Sequence, residues 1–570
     1  MSDVNKLITD NIDVWTSAIK KRNAIGRGSS KKIELTGIKK LRKLILELAV
    51  RGKLVAQDSN DEPVNVLLDK IAEEKEQLLL DKKIKKQKTL QAIADQDKPF
   101  EIPTSWCFKR FGDVMFNRDG ERKPVSAAER KGIQGKYDYY GASGVIDQVN
   151  DFLFDKSLLL IGEDGANLIS RSTPIAFLAH GKYWVNNHAH VLDGITIEFL
   201  EFIALHINAI SLEDYITGTA QPKMNQAKMN SILLAIPPEA EQQRIVAKVD
   251  ELMALCDQLE QQTEQSLTAH QTLVEVLLAA LTESKDVNDL QASWQRIAGH
   301  FDVLFTTELS IEQLKQTILQ LAVMGKLVPQ NPSDEPASVL LEKIAEEKAQ
   351  LIADKKIKKQ KPLPAITDEE KPFALPNGWE WVIMQDITSK ITDGDHKTPP
   401  RISSGYKLFS AKNVRDGYLD TGNCDYIAEE HYIKSRERCC PEEGDLLIVS
   451  VGGTIGRSSV VPHDSSFALV RSVALIKPLK LSPFYFKYAM DSNLLQDSIH
   501  ARKRGGAQPC LYLSEIGKFP FSLPPLAEQQ RIVAKVDELM ALCEQLKARL
   551  SEAQTTQLHL ADAVVKNAIN

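Results

Sequence analysis

From Ile245 onward, positions at alternating steps of four and three read Ile245, Val249, Leu252, Cys256, Leu259, Thr263, Ser266, His270, Leu273 and Leu277. A second run reads Ile532, Val536, Leu539, Cys543, Leu546, Leu550, Ala553, Gln557, Leu560 and Val564. Such steps keep side chains on one helical face, so the pattern predicts two long helices with a heptad seam that is polar in its middle. Each spans about 40 residues, or roughly 60 Å at ~1.5 Å per residue. Pro237-Pro238 and Pro524-Pro525 stop the preceding element, and Glu-Gln-Gln supplies polar first-turn residues. Two packings satisfy this seam. Each helix lies against its own domain, or the two copies pair antiparallel about an internal two-fold axis.

The helices belong to a larger repetition. Leu48–Val55 reads LAVRGKLV and Leu321–Val328 reads LAVMGKLV, an offset of 273. The match continues through Asp61-Glu62-Pro63 and Asp334-Glu335-Pro336, KIAEEK from Lys70 and Lys343, and DKKIKKQK from Asp81 and Asp354. It ends at Trp106 and Trp379. A second block, AEQQRIVAKVDELMALC, runs from Ala240 and recurs identically from Ala527, an offset of 287. Between the blocks, roughly 101–236 and 374–523, no similarity between the halves is evident. The predicted layout is a helical region 1–100, a head 101–236, a central region 237–373 with the first long helix, a head 374–523, and a final helix 524–570. The lysines of Lys82–Lys88 and Lys355–Lys361 are either a solvated face or phosphate contacts.

The heads change character. Short apolar runs, Ser157–Ile161 and Asp445–Ser450, are bounded by Gly, Asp and Glu and read as strands. Each head is expected to be a mixed α+β domain. Polar and aromatic residues crowd certain loops. In the first head these are Tyr139 and Tyr140, then Asn186, Asn187 and His188, then Gln221, Lys223 and Asn225. In the second they are His396, Lys397 and Thr398, then Lys412, Asn413 and Arg415, then Arg457, and finally Arg502, Lys503, Arg504 and Gln508. Arg, Lys, Asn and Gln are the side chains able to make bidentate contacts to base edges. The Arg502 cluster, beside two glycines that let backbone approach a phosphate, is the strongest candidate.

Composition narrows the reading. A chain of 570 residues exceeds one core. Its formal charge of −6 is unexpected for a nucleic-acid reader, so any positive surface must be local or shared with partners. Its seven cysteines include no C-x2-C pair, which argues against a zinc site. The charged first twenty residues lack a signal-peptide stretch, and a cytoplasmic location with no membrane association is expected. Neither a Walker A sequence nor an Asn/Asp-Pro-Pro-aromatic motif occurs, and no catalytic residue is assigned. Gly452-Gly453-Thr454-Ile455-Gly456-Arg457 lacks the phosphate-loop lysine and reads as a strand-to-strand turn.

The two-fold plan, the P-P-x-x-E-Q-Q-R-I-V-x-K-V-D-E-L-M block and the G-D-L-L-I-x-S-x-G-G-T-I-G-R run from Gly444 to Arg457 resemble the specificity subunit of type I restriction-modification enzymes, the HsdS family. The stretches Asp393–His396 and Tyr139–Gly144 resemble starts of its target-recognition domains. The resemblance implies an α+β fold: two mixed α/β target-recognition domains separated by an antiparallel pair of long coiled-coil helices, pseudo-two-fold symmetric. It implies that each domain reads one half of an asymmetric bipartite site on double-stranded DNA, while the helices set the gap. It implies two modification and two restriction subunits as partners. S-adenosylmethionine, ATP and Mg2+ are then expected in those partners and no cofactor in this chain. The competing reading is a bivalent coiled-coil scaffold that does not read DNA, which fits the repeats but not the dissimilar heads.

Overall fold

The computed structural model describes residues 4–21, 33–87, 90–218, 221–506 and 508–569. The chain divides into two compact units, Met1–Leu267 with Glu552–Asn570, and Thr268–Ser551.

In unit 1 the repeated block forms α1 (Thr36–Val50) and α2 (Val64–Leu80). α1 buries Leu41, Leu44, Ile45 and Leu48, and α2 buries Val64, Leu67 and Ile71, all at helical spacing. Gly52 ends α1 at φ +67°, and a Cβ there would stand 2.5 Å from Pro103 Cγ. Only glycine takes this left-handed turn without strain. The first head then supplies β1 (Cys107–Arg110), β2 (Phe116–Asn117), β3 (Gln134–Gly141), β4 (Gly144–Val149), β5 (Phe154–Asp155), β6 (Leu158–Gly162), β7 (Ala176–Ala179), β8 (Lys182–Val185), β9 (Ala189–Asp193), α3 (Ile197–Ala209) and β10 (Leu233–Ile236). β1 and β10 pair antiparallel, Cys107 opposite Ile236, and close the head at its base. One sheet runs β4-β3-β8-β5, with β3 and β8 parallel. The other runs β2-β9-β6-β7 and is antiparallel throughout. Every residue of β6 is buried, as its unbroken apolar run requires, and α3 lays Phe199, Phe202 and Ile203 into the core. The long helix α4 follows over Glu239–Thr282.

Unit 2 repeats this plan. Its helices α5 (Glu308–Val323) and α6 (Ala337–Ala353) precede a head of β11 (Glu380–Ile383), β12 (Thr388–Asp393), β13 (Tyr406–Phe409), β14 (Asp425–Ile427), β15 (Leu446–Val449), β16 (Ser458–Val460), β17 (Ala468–Leu469), β18 (Val473–Pro478), α7 (Pro483–Asp491) and β19 (Pro520–Leu523). The second long helix, α8, covers Leu526–Ile569. β11 and β19 close the base as β1 and β10 do. β13 is parallel to β17 as β3 is to β8, and β18-β15-β16 matches β9-β6-β7. The heads, dissimilar in sequence, therefore share most of one topology, although β5 of the first has no counterpart among the described strands of the second. Gly452–Arg457 turns between the antiparallel strands β15 and β16, as read from the sequence.

The identical blocks make matching contacts, apart from Trp106 Nε1, which among the described residues lacks the bond its counterpart Trp379 makes. Arg244 donates to Asp61 at 2.6 and 2.9 Å, and Arg531 to Asp334 at 2.6 and 3.4 Å. Gln242 Nε2 donates to the carbonyl of Pro237, and Gln529 Nε2 to that of Pro524. Glu241 accepts from Gln57, and Glu528 from Gln330 and from Trp379 Nε1. Burial pushes both glutamate carboxyls above the usual range. The E-Q-Q-R sequence is thus the clamp between head base, helical block and long helix.

The long helices depart from the heptad reading. In unit 1, Ile245, Val249, Leu252, Cys256 and Leu259 enter the core with α1, and Ala561 of α8 is buried in that same core beside Leu558 and Val564. In unit 2, Ile532, Val536 and Cys543 do so with Val274, Leu278 and Leu281 of α4. The seam therefore shifts by one residue: Leu273 is 51% exposed and Leu560 44%, while their neighbours Val274 and Ala561 are buried. A straight helix drifts ~20° per heptad, so the four heptads from Ile245 to Leu273 accumulate about 80°, close to the ~100° of one residue.

Among the described residues no helix is long and apolar enough to cross a membrane, and no group of three or more His, Cys, Asp or Glu is placed to hold a metal.

Candidate nucleic-acid interface

Three segments meet at one edge of each head. In the first, Glu163 leaves β6 and donates its N–H to the carbonyl of His188, which precedes β9, at 2.8 Å. Met224 N–H reaches the Glu163 carbonyl at 2.8 Å, and Gly165 N–H the Pro222 carbonyl at 3.0 Å. Thr217 and Lys223 exchange two backbone hydrogen bonds of 2.8 Å and pinch off the loop between them. The second head repeats every contact. Ser450 donates to Ser472, Leu511 to Ser450 and Gly452 to Pro509, at 2.9, 2.8 and 3.0 Å. Arg504 and Cys510 pinch the matching loop. Gly165 and Gly452 both stand at φ +106°, with nothing within 4 Å of a would-be Cβ, so this edge is open to solvent.

The frame is common, but the side chains on it are not. In the first head Asn187, His188, Gln221, Lys223 and Asn225 are exposed. His188 Nδ1 pairs with Asp164 at 2.9 Å and Lys223 with Glu163 at 3.1 Å. Asn225 caps the short helix Gln226–Asn230 through its side chain. In the second head Ser472 and Cys510 stand where His188 and Lys223 do, and Arg471, exposed, stands where Asn187 does. Arg471 was missed in the sequence because it sits inside an apolar strand pattern. Beneath the first edge lies a buried charge network. His190 Nδ1 meets Asp119 at 2.7 Å and Nε2 the Met224 carbonyl at 3.0 Å. Arg122 reaches Glu163 at 2.9 Å. Both partners of His190 are acceptors, so its ring donates from both nitrogens. Burial pulls its pKa down, but Asp119, the Met224 carbonyl and Glu163 outweigh that and hold it raised.

Several candidates lie elsewhere or face inward. Tyr139 is buried in the first head, and its hydroxyl bonds the Val125 backbone, so it braces the sheet. Tyr140 is half-buried against Phe177 and Tyr183. Asn186 is buried and its amide oxygen accepts the His188 N–H. Asn413 is wholly buried and ties the carbonyls of Asp420 and Asn423 to the Ser410 N–H. These are polar residues that satisfy loop backbone, and Tyr139, Asn186 and Asn413 are removed from the set that can touch a base. His396 and Arg438 both pair with Asp393, with Lys397 and Thr398 exposed beside them. Lys412 pairs with Asp425, Arg415 with Asp420, and Arg457 lies 3.9 Å from Asp416. Arg502, expected to lead the contacts, stacks 5.5 Å over the Phe519 ring and is half-buried. Lys503 bonds His500, leaving Arg504 and Gln508 at the open edge.

A family model described as "Type I restriction modification DNA specificity domain" matches residues 103–269 and 398–554. Each match runs from a head past the midpoint of its long helix. The chain is 39% identical over 597 residues to the type I restriction enzyme EcoEI specificity subunit of Escherichia coli, covering 100% of both chains. It is 39% identical over 599 residues to the EcoAI specificity subunit of the same organism, again covering 100% of both. A solved HsdS subunit from Thermoanaerobacter tengcongensis shares 16% identity, covers 83% of this chain and 98% of its own, and superposes with a TM-score of 0.39. By its full-length identity and by the two matched segments, this chain belongs to the family of type I restriction-modification DNA specificity subunits.

Proposed function

We propose that each head reads one half of an asymmetric bipartite site on double-stranded DNA through the open edge where its three segments meet. The observation that carries this is one backbone frame bearing different side chains: Asp164, His188 and Lys223 in one head, Val451, Ser472 and Cys510 in the other. Phosphate contacts position a protein on a duplex and base-edge contacts specify sequence, so a fixed frame with exchangeable side chains suits two different half-sites.

The long helices α4 and α8 act as a spacer in this reading, an antiparallel pair with pseudo-two-fold symmetry. Support comes from the exchange of helix ends: unit 1 contains the start of α4 and the end of α8, and unit 2 the end of α4 and the start of α8. The helical blocks at α1–α2 and α5–α6, duplicated with their contacts, offer two equivalent seats for two modification subunits. Restriction subunits join that assembly. The chain itself is non-catalytic. S-adenosylmethionine, ATP and Mg2+ are used by the partners, and the complex works in the cytoplasm. A scaffold that ignores DNA sequence would have no use for two heads of one fold and different surface.

The test is to map N6-methyladenine in a host expressing the chain with its modification partner. A bipartite, non-palindromic sequence with one fixed gap is expected. Methylation at a single continuous or palindromic sequence would overturn the reading.

A further inference from the structure

Among the described residues, the one exposed side chain that the two heads share at this edge is a glutamine. Gln221 and Gln508 stand at the offset of 287 that relates the two clamp blocks, in Gly218-Thr219-Ala220-Gln221-Pro222 and Gly505-Gly506-Ala507-Gln508-Pro509. Their surroundings coincide. Gly218 and Gly505 hold φ of +83° and +93°, and a Cβ at either would meet the carbonyl oxygen of its glutamine, at 2.7 and 3.0 Å. The proline after each glutamine restricts it to extended backbone. That proline's carbonyl is fixed by the N–H of Gly165 or Gly452. Each loop is pinched at its base by a two-bond bridge. Among the described residues neither glutamine side chain has a hydrogen-bond partner, and both are exposed.

A side chain left unpaired on a backbone held so closely in both heads is free for a role outside the fold. It cannot discriminate between two half-sites that differ, because it is the same residue in the same frame in both heads. The chemistry common to any two DNA segments is the sugar-phosphate backbone, and a glutamine amide donates readily to a phosphate oxygen. We propose that Gln221 and Gln508 are one duplicated anchor that docks each head on the phosphate backbone of its half-site, leaving base discrimination to the neighbours that differ. This rests on the reading that the heads bind DNA.

The test uses the full chain assembled with its modification partner and two duplexes of equal length, one carrying the mapped target and one with that sequence scrambled. Gln221→Ala and Gln508→Ala are expected to weaken binding to both duplexes by the same factor, about tenfold for a hydrogen bond to a charged oxygen. The methylated sequence stays as in the wild type. Gln221→Glu, similar in shape but negatively charged, weakens both further. Because both side chains are exposed and unpaired, thermal melts of the variants should match the wild type, which separates contact from folding. A variant that relaxes the methylated sequence at one base would make glutamine a reader and overturn the proposal, as would unchanged affinity. If instead the wild-type complex binds both duplexes equally, it is the half-site reading itself that fails.

Discussion

Lys326 Nζ donates to the carbonyl oxygen of Thr282, the last residue of α4, at 2.7 Å and to that of Ser284 at 2.9 Å. Its counterpart Lys53 makes one such bond among the described residues, to Ile569 at the end of α8. The last carbonyls of a helix have no partner within it, and a cation there also meets the negative end of the helix dipole. Lys326→Ala is therefore expected to lower unfolding free energy by about 1 kcal/mol, and Lys53→Ala, more exposed and singly bonded, by less. Denaturant melts of the two variants check the order.

Gly52 and Gly325 stand at φ +67° and +69°, each with a proline Cγ 2.5 Å from where a Cβ would lie. Gly52→Ala and Gly325→Ala must strain the backbone and displace Pro103 or Pro376. Each should cost about 1–3 kcal/mol, read as a fall in the melting temperature of the full chain.

The repeats were legible in the sequence because identical residues make matching contacts, as the clamp of Arg244 with Asp61 and Arg531 with Asp334 shows. The common topology of the heads was not. The equivalent strands share only Leu-Leu-Ile, at 159–161 and 446–448, a run too short and too common among buried strands to mark a repeat. Two short stretches carried the signal, the loops ending in Ala-Gln-Pro at 220–222 and 507–509. Polar residues misled where loops needed internal partners: Asn413 looks like a base reader by type, yet its amide satisfies three backbone groups. The seam of the long helices was placed correctly over its first five positions and then drifted, because a heptad template holds only for a supercoiled helix.

His190 links pH to the stability of the first head. Its folded pKa is raised above the ordinary histidine value, so its contribution is fully present below about pH 6.5 and is lost as pH rises through the folded value. The wild-type melting temperature should decline over that interval more steeply than that of His190→Asn. Parallel pH profiles for the two proteins would contradict the assignment.

Removing seven residues from the polar middle of both long helices tests the spacer. Seven residues are two turns less ~20°, so the buried faces stay nearly in register. The helices shorten by about 10 Å at ~1.5 Å per residue, and the gap in the methylated sequence should contract by about three base pairs at ~3.4 Å each. An unchanged gap in the mapped methylation would count against a spacer role.

Residues 101–236 of the first head can be replaced by the corresponding segment of a relative with a different target, leaving the clamps and the second head intact. Mapping N6-methyladenine in cells carrying this chimaera with the modification partner measures the division of labour directly. The account predicts that one half of the methylated sequence changes to the donor's while the other half and the gap stay as they were. A change in both halves, or in neither, would contradict it.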